Sequence, residues 1–315
     1  MASHTLKTLL CIGLFSLWNN ANAQQNPRVS VIVDYTLVGN GTPKIIAHLG
    51  NTATANLLVD TGASRCFISN TVQKRLSLPA YPLVDVDGSL VIVAGKQWQA
   101  ITLSFLGIGL IHLKKTPLII CPLGLFENIA NNGAEGLIGT DILTGYATLF
   151  DTEKHQITFW PEGKLNAGDL KSVGFEGAES LSGAFGKDGI FRIHARFNDK
   201  EEEDIGLDTG AALTALSLQI VRKLKLKDTA KGKPQYTLFG AAKTNEAHLQ
   251  TLTLGKLIVK DFDVQYQTGH DTRGFFPHIG MDVLSHFRFL LDAPAGKLYL
   301  KPIEAAKPDA PEVKY

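Results

Sequence analysis

The sequence predicts an all-β protein built as two homologous lobes, and three observations carry that prediction. Thirty glycines punctuate many short runs of Val, Ile, Leu and Thr, the pattern of strands separated by turns. The tripeptide Asp-Thr-Gly occurs twice, at 60–62 and 208–210, each time closing an apolar run: Leu57-Leu58-Val59 in one copy, Ile205-Gly206-Leu207 in the other. The segments downstream of the tripeptide then recur in the same order in both halves.

In the first half, strands are expected over 28–38, 44–49 and 56–60, with a turn at Asn40-Gly41. After the first Asp-Thr-Gly, 63–68 is strand-like, and Ser69 or Asn70 caps a short helix over 71–76 that ends before Pro79. A hairpin with Ala94-Gly95-Lys96 at its tip joins 90–93 to 98–103. Strands over 106–113 and 117–121, a loop over 123–135, a short helix over 140–144 and a hairpin of 146–151 with 156–160 complete the copy. The second half answers each part: strands at 191–197 and 204–208, a helix over 218–224 capped by Ser217, a hairpin of 236–239 with 248–254 around Gly240-Ala241-Ala242, a strand at 257–266 and a loop over 268–274. Ile279-Gly280-Met281-Asp282-Val283-Leu284 mirrors Ile138-Gly139-Thr140-Asp141-Ile142-Leu143, and 287–292 with 297–301 mirrors the closing hairpin. Asp60 lies 79 residues before Gly139, and Asp208 lies 72 before Gly280. So long a period marks a duplicated domain rather than a solenoid. The expected boundaries are a signal peptide at 1–23, an N-terminal lobe at 24–161, a Gly/Ser/Ala-rich connector at 162–188, a C-terminal lobe at 189–302 and a loose tail at 303–315.

The signal peptide is read from Lys7, the apolar stretch 9–18 and an Ala21-Asn22-Ala23 cleavage pattern before Gln24, with an uncleaved anchor as the alternative. Export implies a periplasmic or secreted protein with no membrane association after cleavage. Lys plus Arg at 31 against Asp plus Glu at 30 leaves no basic excess to attract nucleic acid. With 44% hydrophobic and 19% charged residues, the chain has enough apolar content for a packed core. Cys66 and Cys121 pair or stay as buried free thiols, and sequence does not choose between these. Without a CxxC or a clustered His/Cys set, no metal or cofactor is expected. His270, His278 and His286 recur at eight-residue intervals, a spacing that suits loop or surface histidines better than ligands.

An aspartate at the end of a buried strand resists leaving water unless it finds a partner. Two in matching contexts point to Asp60 and Asp208 as one shared pair, the candidate catalytic residues. Two carboxyls in hydrogen-bond range cannot both ionise easily, so one holds a proton while the other acts as a base, the combination needed to hydrolyse an amide with water. Gly62 and Gly210 allow tight turns whose N–H groups reach the carboxylates, and Thr61 and Thr209 have hydroxyls that can bond across the junction. Asp141 and Asp282 follow a strand glycine and read as structural caps of the short helix after it.

Leu-Leu-Val-Asp-Thr-Gly-Ala-Ser and Ile-Gly-Leu-Asp-Thr-Gly-Ala-Ala, each with a later apolar-Ile-Gly-x-Asp, resemble the aspartic protease superfamily. The compact copies are similar to retropepsin-like bacterial aspartyl proteases, and two in one chain give the bilobal plan of pepsin-like enzymes. The resemblance covers nearly all of 43–302. It implies two closed, barrel-like β-lobes of the acid-protease fold with short helices, a cleft between them and the Asp60/Asp208 dyad. It further implies a glycine-tipped hairpin acting as a flap, for which Ala94, Gly95, Trp98, Gly240 and Ala241 are the candidate flap and substrate-binding residues. Trp98 reads equally as a packed core residue. Where pepsin-like enzymes carry Ser or Thr after Asp-Thr-Gly, this chain has Ala63 and Ala211, as retroviral proteases do. Losing that donor to the ionised form raises the dyad pKa values and moves the optimum towards weakly acidic or neutral pH. The expected protein is an exported aspartic endopeptidase acting on polypeptide substrates, monomeric, with the lobes forming an intramolecular pseudo-dimer. The alternative is a non-catalytic peptide-binding or inhibitor-like protein on the same fold.

Overall fold

In a computed structural model, the structure describes residues 30–303 apart from 40, 52, 86, 94–95, 122–132, 233–234, 238–239 and 269–274, together with residues 312–314. The signal peptide therefore lies outside the described residues, as do His270 and the flap positions Ala94 and Gly95.

Each half closes its own six-stranded barrel. In the first, hydrogen bonding runs through strands Thr42–Leu49, Ala53–Val59, Gly136–Ile138, Phe67–Ser69, Ile111–Cys121 and Gln99–Ile108, and the ring shuts where His48 and Leu49 pair with Gly107 and Leu106. The second runs through Phe191–Phe197, Glu201–Leu207, His278–Ile279, Ala215–Leu216, Leu257–Gln267 and Thr244–Leu254, and shuts where Arg196 and Phe197 pair with Thr253 and Leu252. Closure removes the open edges that a lone sheet would expose. In both barrels the short strand carrying the Ile-Gly motif lies parallel to the strand that ends in Asp-Thr-Gly and antiparallel to the strand that follows it. A parallel neighbour needs a long connection, so each lobe closes on itself only after about 70 to 80 residues. The resulting insertion places Gly139 and Gly280 against the two Asp-Thr-Gly turns.

A third sheet of six strands joins the lobes, in the order Val31–Asp34, Gln156–Pro161, Tyr146–Asp151, Phe287–Asp292, Lys297–Pro302 and Glu179–Phe185. Its two central strands come one from each lobe, and Phe150 pairs with Phe289 across them. The rings stack at 4.6 Å, and both side chains are buried. Tyr146–Asp151 is buried at every position, Thr148 and Asp151 included.

The two seven-residue helices start and stop on the same devices. Ser69 accepts from Val72 N and Ser217 from Ile220 N, both at 3.2 Å. At the C-terminal ends, Ser77 and Lys225 adopt left-handed φ of 51° and 54°.

Several elements differ from the sequence reading. The stretch 28–38 divides into Val31–Asp34 and Thr36–Val38, which belong to different sheets, with Tyr35 N bonded to His155 O between them. The long hairpin of the first barrel turns at Gly109-Leu110, inside the strand expected over 106–113, and Gln99–Ile108 and Ile111–Cys121 run through the breaks expected at 104–105 and 114–116. Residues 162–188 hold more than a passive link. Asn166 and Asp169 form a capping box on the helix Ala167–Ser172, and Glu179–Phe185 pairs with both Lys297–Pro302 and Phe191–Phe197. This strand carries Ser180, Ser182 and Ala184 at exposed positions and buries only Leu181, so it has no apolar signature. Within the expected tail, Glu312–Lys314 adds a strand antiparallel to Leu257–Gln267.

Because Phe150 and Phe289 contribute one ring from each lobe, Phe150→Ala or Phe289→Ala is expected to cost about 3–5 kcal/mol. Urea denaturation should still show one transition, with the double variant losing less than the sum of the single losses because the rings touch.

Candidate active site

The two Asp-Thr-Gly turns meet at the junction of the lobes and are bonded to each other rather than merely adjacent. Thr61 N donates to Thr209 Oγ1 at 3.1 Å, and Thr209 N donates to Thr61 Oγ1 at 3.0 Å. Each hydroxyl then donates onward into the opposite lobe, Thr61 Oγ1 to Leu207 O at 2.8 Å and Thr209 Oγ1 to Val59 O at 2.6 Å. Both threonines are completely buried. Every polar atom in this four-bond ring has a partner, so burying it carries no unpaired donor.

The ring brings Asp60 and Asp208 side by side, close enough for their carboxyls to hydrogen-bond. Asp60 Oδ1 accepts from Gly62 N at 2.8 Å, while Asp208 Oδ1 accepts from Gly210 N at 2.9 Å and Ala211 N at 3.0 Å. Glycine is required at 62 and 210 by space. A β-carbon at Gly62 would collide with the Asp208 carboxyl, and one at Gly210 with that of Asp60. The backbone N–H of each aspartate is anchored on the Ile-Gly strand, to Ile138 O and Ile279 O at 3.0 and 3.1 Å.

Removal from water pushes both carboxyls up. Asp60 rises well above the ordinary carboxylate range, through burial first and the charge of Asp208 second, against the pull of the Gly62 and Ala63 N–H groups. Asp208 rises through burial to about 6, held lower by Gly210 N and Ala211 N. Two raised carboxyls in contact share a proton, and the charge of Asp208 makes Asp60 the harder of the two to ionise.

The predicted supports Thr61, Gly62, Thr209 and Gly210 are all at the pair. The predicted flap residues fare differently. The first hairpin pairs Ile92–Val93 with Lys96–Gln97, and Ala94 and Gly95 lie outside the described residues. The second pairs Gln235–Thr237 with Gly240–Ala242, so Gly240 and Ala241 form its returning strand instead of the turn. Trp98 is buried and packs edge-on against Phe67 at 5.7 Å, in a small apolar cluster with Leu58, Val91 and Leu137 that is separate from the barrel core. Its core reading is the one the structure supports.

Asp141 and Asp282 do not cap their helices. Gly139 and Gly280 occupy the cap positions, and the two carboxylates turn back to hold the strand that follows each Asp-Thr-Gly. His278 is buried, contrary to the loop or surface reading, with Nδ1 on Phe276 O at 2.8 Å. Burial holds its imidazole below the ordinary value, against that carbonyl and the charges of Asp282 and Asp60. Cys66 and Cys121 are both free and buried. Sequence reading missed Cys66 and Thr214, which take part in the carboxylate hold. The available signal was their common place six residues after each candidate acid.

Comparison with known proteins agrees with this geometry. Residues 45–142 match the family model for aspartyl protease, and residues 193–286 match that for the gag-polyprotein aspartyl protease. Together the two matches span more than half of the chain, and each contains one of the paired acids. No curated protein matches the chain. Among solved structures, a retropepsin-like aspartic protease from Rickettsia conorii is 26% identical, covering 39% of this chain and 90% of that one, at a TM-score of 0.31. The chain belongs to the aspartic proteases, with one family match on each lobe.

Two outcomes follow for the pair. A raised carboxyl pKa means that the folded state favours the protonated form, so the pair costs stability as pH rises from the unfolded value near 4 through the folded one. Asp208→Asn removes that cost. Its Tm should exceed that of the parent by a few degrees above pH 6, and the gap should close below about pH 4. Gly62→Ala or Gly210→Ala should leave circular dichroism unchanged while lowering proteolysis at least about a hundredfold, because the new methyl displaces the facing carboxyl.

Proposed function

We propose that the chain is an exported aspartic endopeptidase in which Asp60 and Asp208 activate a water molecule against a peptide bond. The observation that carries this reading is the pair of neighbouring carboxyls that the threonine ring holds together, both of them raised by burial. In the proposed reaction ionised Asp208 takes a proton from water as its oxygen attacks the carbonyl carbon. Protonated Asp60 hydrogen-bonds the carbonyl oxygen as negative charge develops there. Collapse of the tetrahedral adduct breaks the C–N bond, and the leaving nitrogen receives a proton from the pair. Restoring one shared proton completes the cycle.

The substrate would lie extended between the lobes. A hairpin on each lobe, Ile92–Val93 with Lys96–Gln97 and Gln235–Thr237 with Gly240–Ala242, offers strand edges to a polypeptide backbone. Both acids come from one chain, which supports a monomer as the active unit. Export to a periplasm or beyond rests on the pattern in residues 1–23. Among the described residues, no helix is long and apolar enough to cross a membrane.

The test is cleavage of an unstructured protein by the mature chain across pH, with and without a statine-type inhibitor. A bell-shaped profile is expected, its acid limb rising through about pH 6 as Asp208 ionises and its alkaline limb falling as Asp60 loses the remaining proton. Asp60→Asn and Asp208→Asn should each abolish cleavage, and mass spectrometry of the exported protein should find Gln24 at the N-terminus. Cleavage surviving in either variant overturns the dyad reading, and maximal turnover near pH 2 overturns the weakly acidic to neutral optimum. No cleavage by the parent chain at any pH would favour a peptide-binding role.

A further inference from the structure

The turns that carry the two acids are each clamped from below by the same arrangement of bonds, but the clamping atom differs. In the C-terminal lobe Thr214 N and Oγ1 donate to the two oxygens of Asp282 at 2.8 and 2.7 Å, and the hydroxyl accepts from Gly280 N at 3.1 Å. In the N-terminal lobe Cys66 N and Sγ donate to the two oxygens of Asp141 at 3.1 and 3.0 Å, and the sulfur accepts from Gly139 N at 3.2 Å. The remaining bonds of the clamp also correspond. Thr140 N binds Ala63 O at 2.8 Å, and Met281 N binds Ala211 O at 2.9 Å. Residues 60–66 and 208–214 are therefore closed loops, with a candidate catalytic acid at one end and a Cys or Thr clasp at the other.

We propose that Cys66 is a positioning residue for Asp60: its thiol clasps the Asp60 turn to Asp141, the part that the Thr214 hydroxyl plays for Asp208. The proposal rests on the proteolytic reading of the pair. Burial first, and then the neighbouring Asp141 charge, raise the thiol pKa well above its ordinary value, so Cys66 keeps its proton and remains a donor. A thiol is a weaker donor and acceptor than a hydroxyl, so the Asp60 turn is held less firmly than the Asp208 turn. The two halves of the dyad thus differ in stiffness by one atom.

The experiment is amide hydrogen exchange at Gly62, Ala63, Gly210 and Ala211 by NMR, beside kcat and KM for a peptide substrate. Cys66→Ala should speed exchange at Gly62 and Ala63 about tenfold, leave Gly210 and Ala211 unchanged, and lower kcat about tenfold with KM within twofold. Cys66→Thr, which copies the other lobe, should exchange no faster than the parent at Gly62 and Ala63 and keep full kcat. Thr214→Cys should loosen only Gly210 and Ala211. The exchange readings stand even if the parent shows no proteolysis, so a failure of the proteolytic reading is told apart from a failure of this one. Exchange that rises equally in both turns, a Cys66→Ala variant matching the parent, or a Cys66→Thr variant looser than the parent would each overturn it. Should Cys66→Ala not fold, Cys66→Thr and Thr214→Cys still decide.

Discussion

The structure depends on holding two carboxyls together that would otherwise separate. Asp60 and Asp208 are partly withdrawn from water, and each makes the other's ionisation harder. What holds them is the ring of four hydrogen bonds between Thr61 and Thr209 and the carbonyls of Val59 and Leu207. Those bonds lie in the buried junction, where an unpaired hydroxyl or amide would be costly, so the ring resists opening. Much of the surrounding architecture keeps the junction in register. The barrels position one turn each, the Ile-Gly strands tie those turns from below, and the shared six-stranded sheet fixes the lobes relative to one another.

The duplication also explains why the site is symmetric in plan and asymmetric in detail. A repeat supplies the same backbone twice, and hence the same turn, anchor and clasp. Side chains have diverged on that common frame. Leu137 in one lobe corresponds to His278 in the other, and Cys66 corresponds to Thr214. The dyad inherits such differences: Gly62 N bonds Asp60 Oδ1 while Gly210 N and Ala211 N both bond Asp208 Oδ1, and the charges and clasps around the two acids differ as well. Alanine after each Asp-Thr-Gly leaves a methyl where a hydroxyl would otherwise bond the ionised carboxyl, which leaves burial to set the direction of both pKa values.

The legibility of this protein in its sequence varied with the range of the interactions involved. Helix caps at Ser69 and Ser217 were readable because a cap acts over three residues. The second hairpin's tip was misplaced because Gly240 sits in a strand, although a glycine ordinarily signals a turn. Glu179–Phe185 escaped notice because its pairing partners, not its own side chains, make it a strand. Asp141 and Asp282 were read as helix caps because a carboxylate at a helix start ordinarily caps. Here a closer claim on them came from residues about 70 positions away.

By itself the sequence determined the repeat, the two acids, the glycines beside them and the all-β character, since each is written in local composition or in a pattern that occurs twice. Only the tertiary structure decided that Thr61 and Thr209 bond to each other across 148 residues, that Trp98 packs into a core, that His278 is buried and that Cys66 clasps Asp141. The physical reason is one of distance along the chain. A hydrogen bond between residues far apart leaves no periodicity or spacing behind it, and its partners are chosen only when barrel closure brings them within about 3 Å.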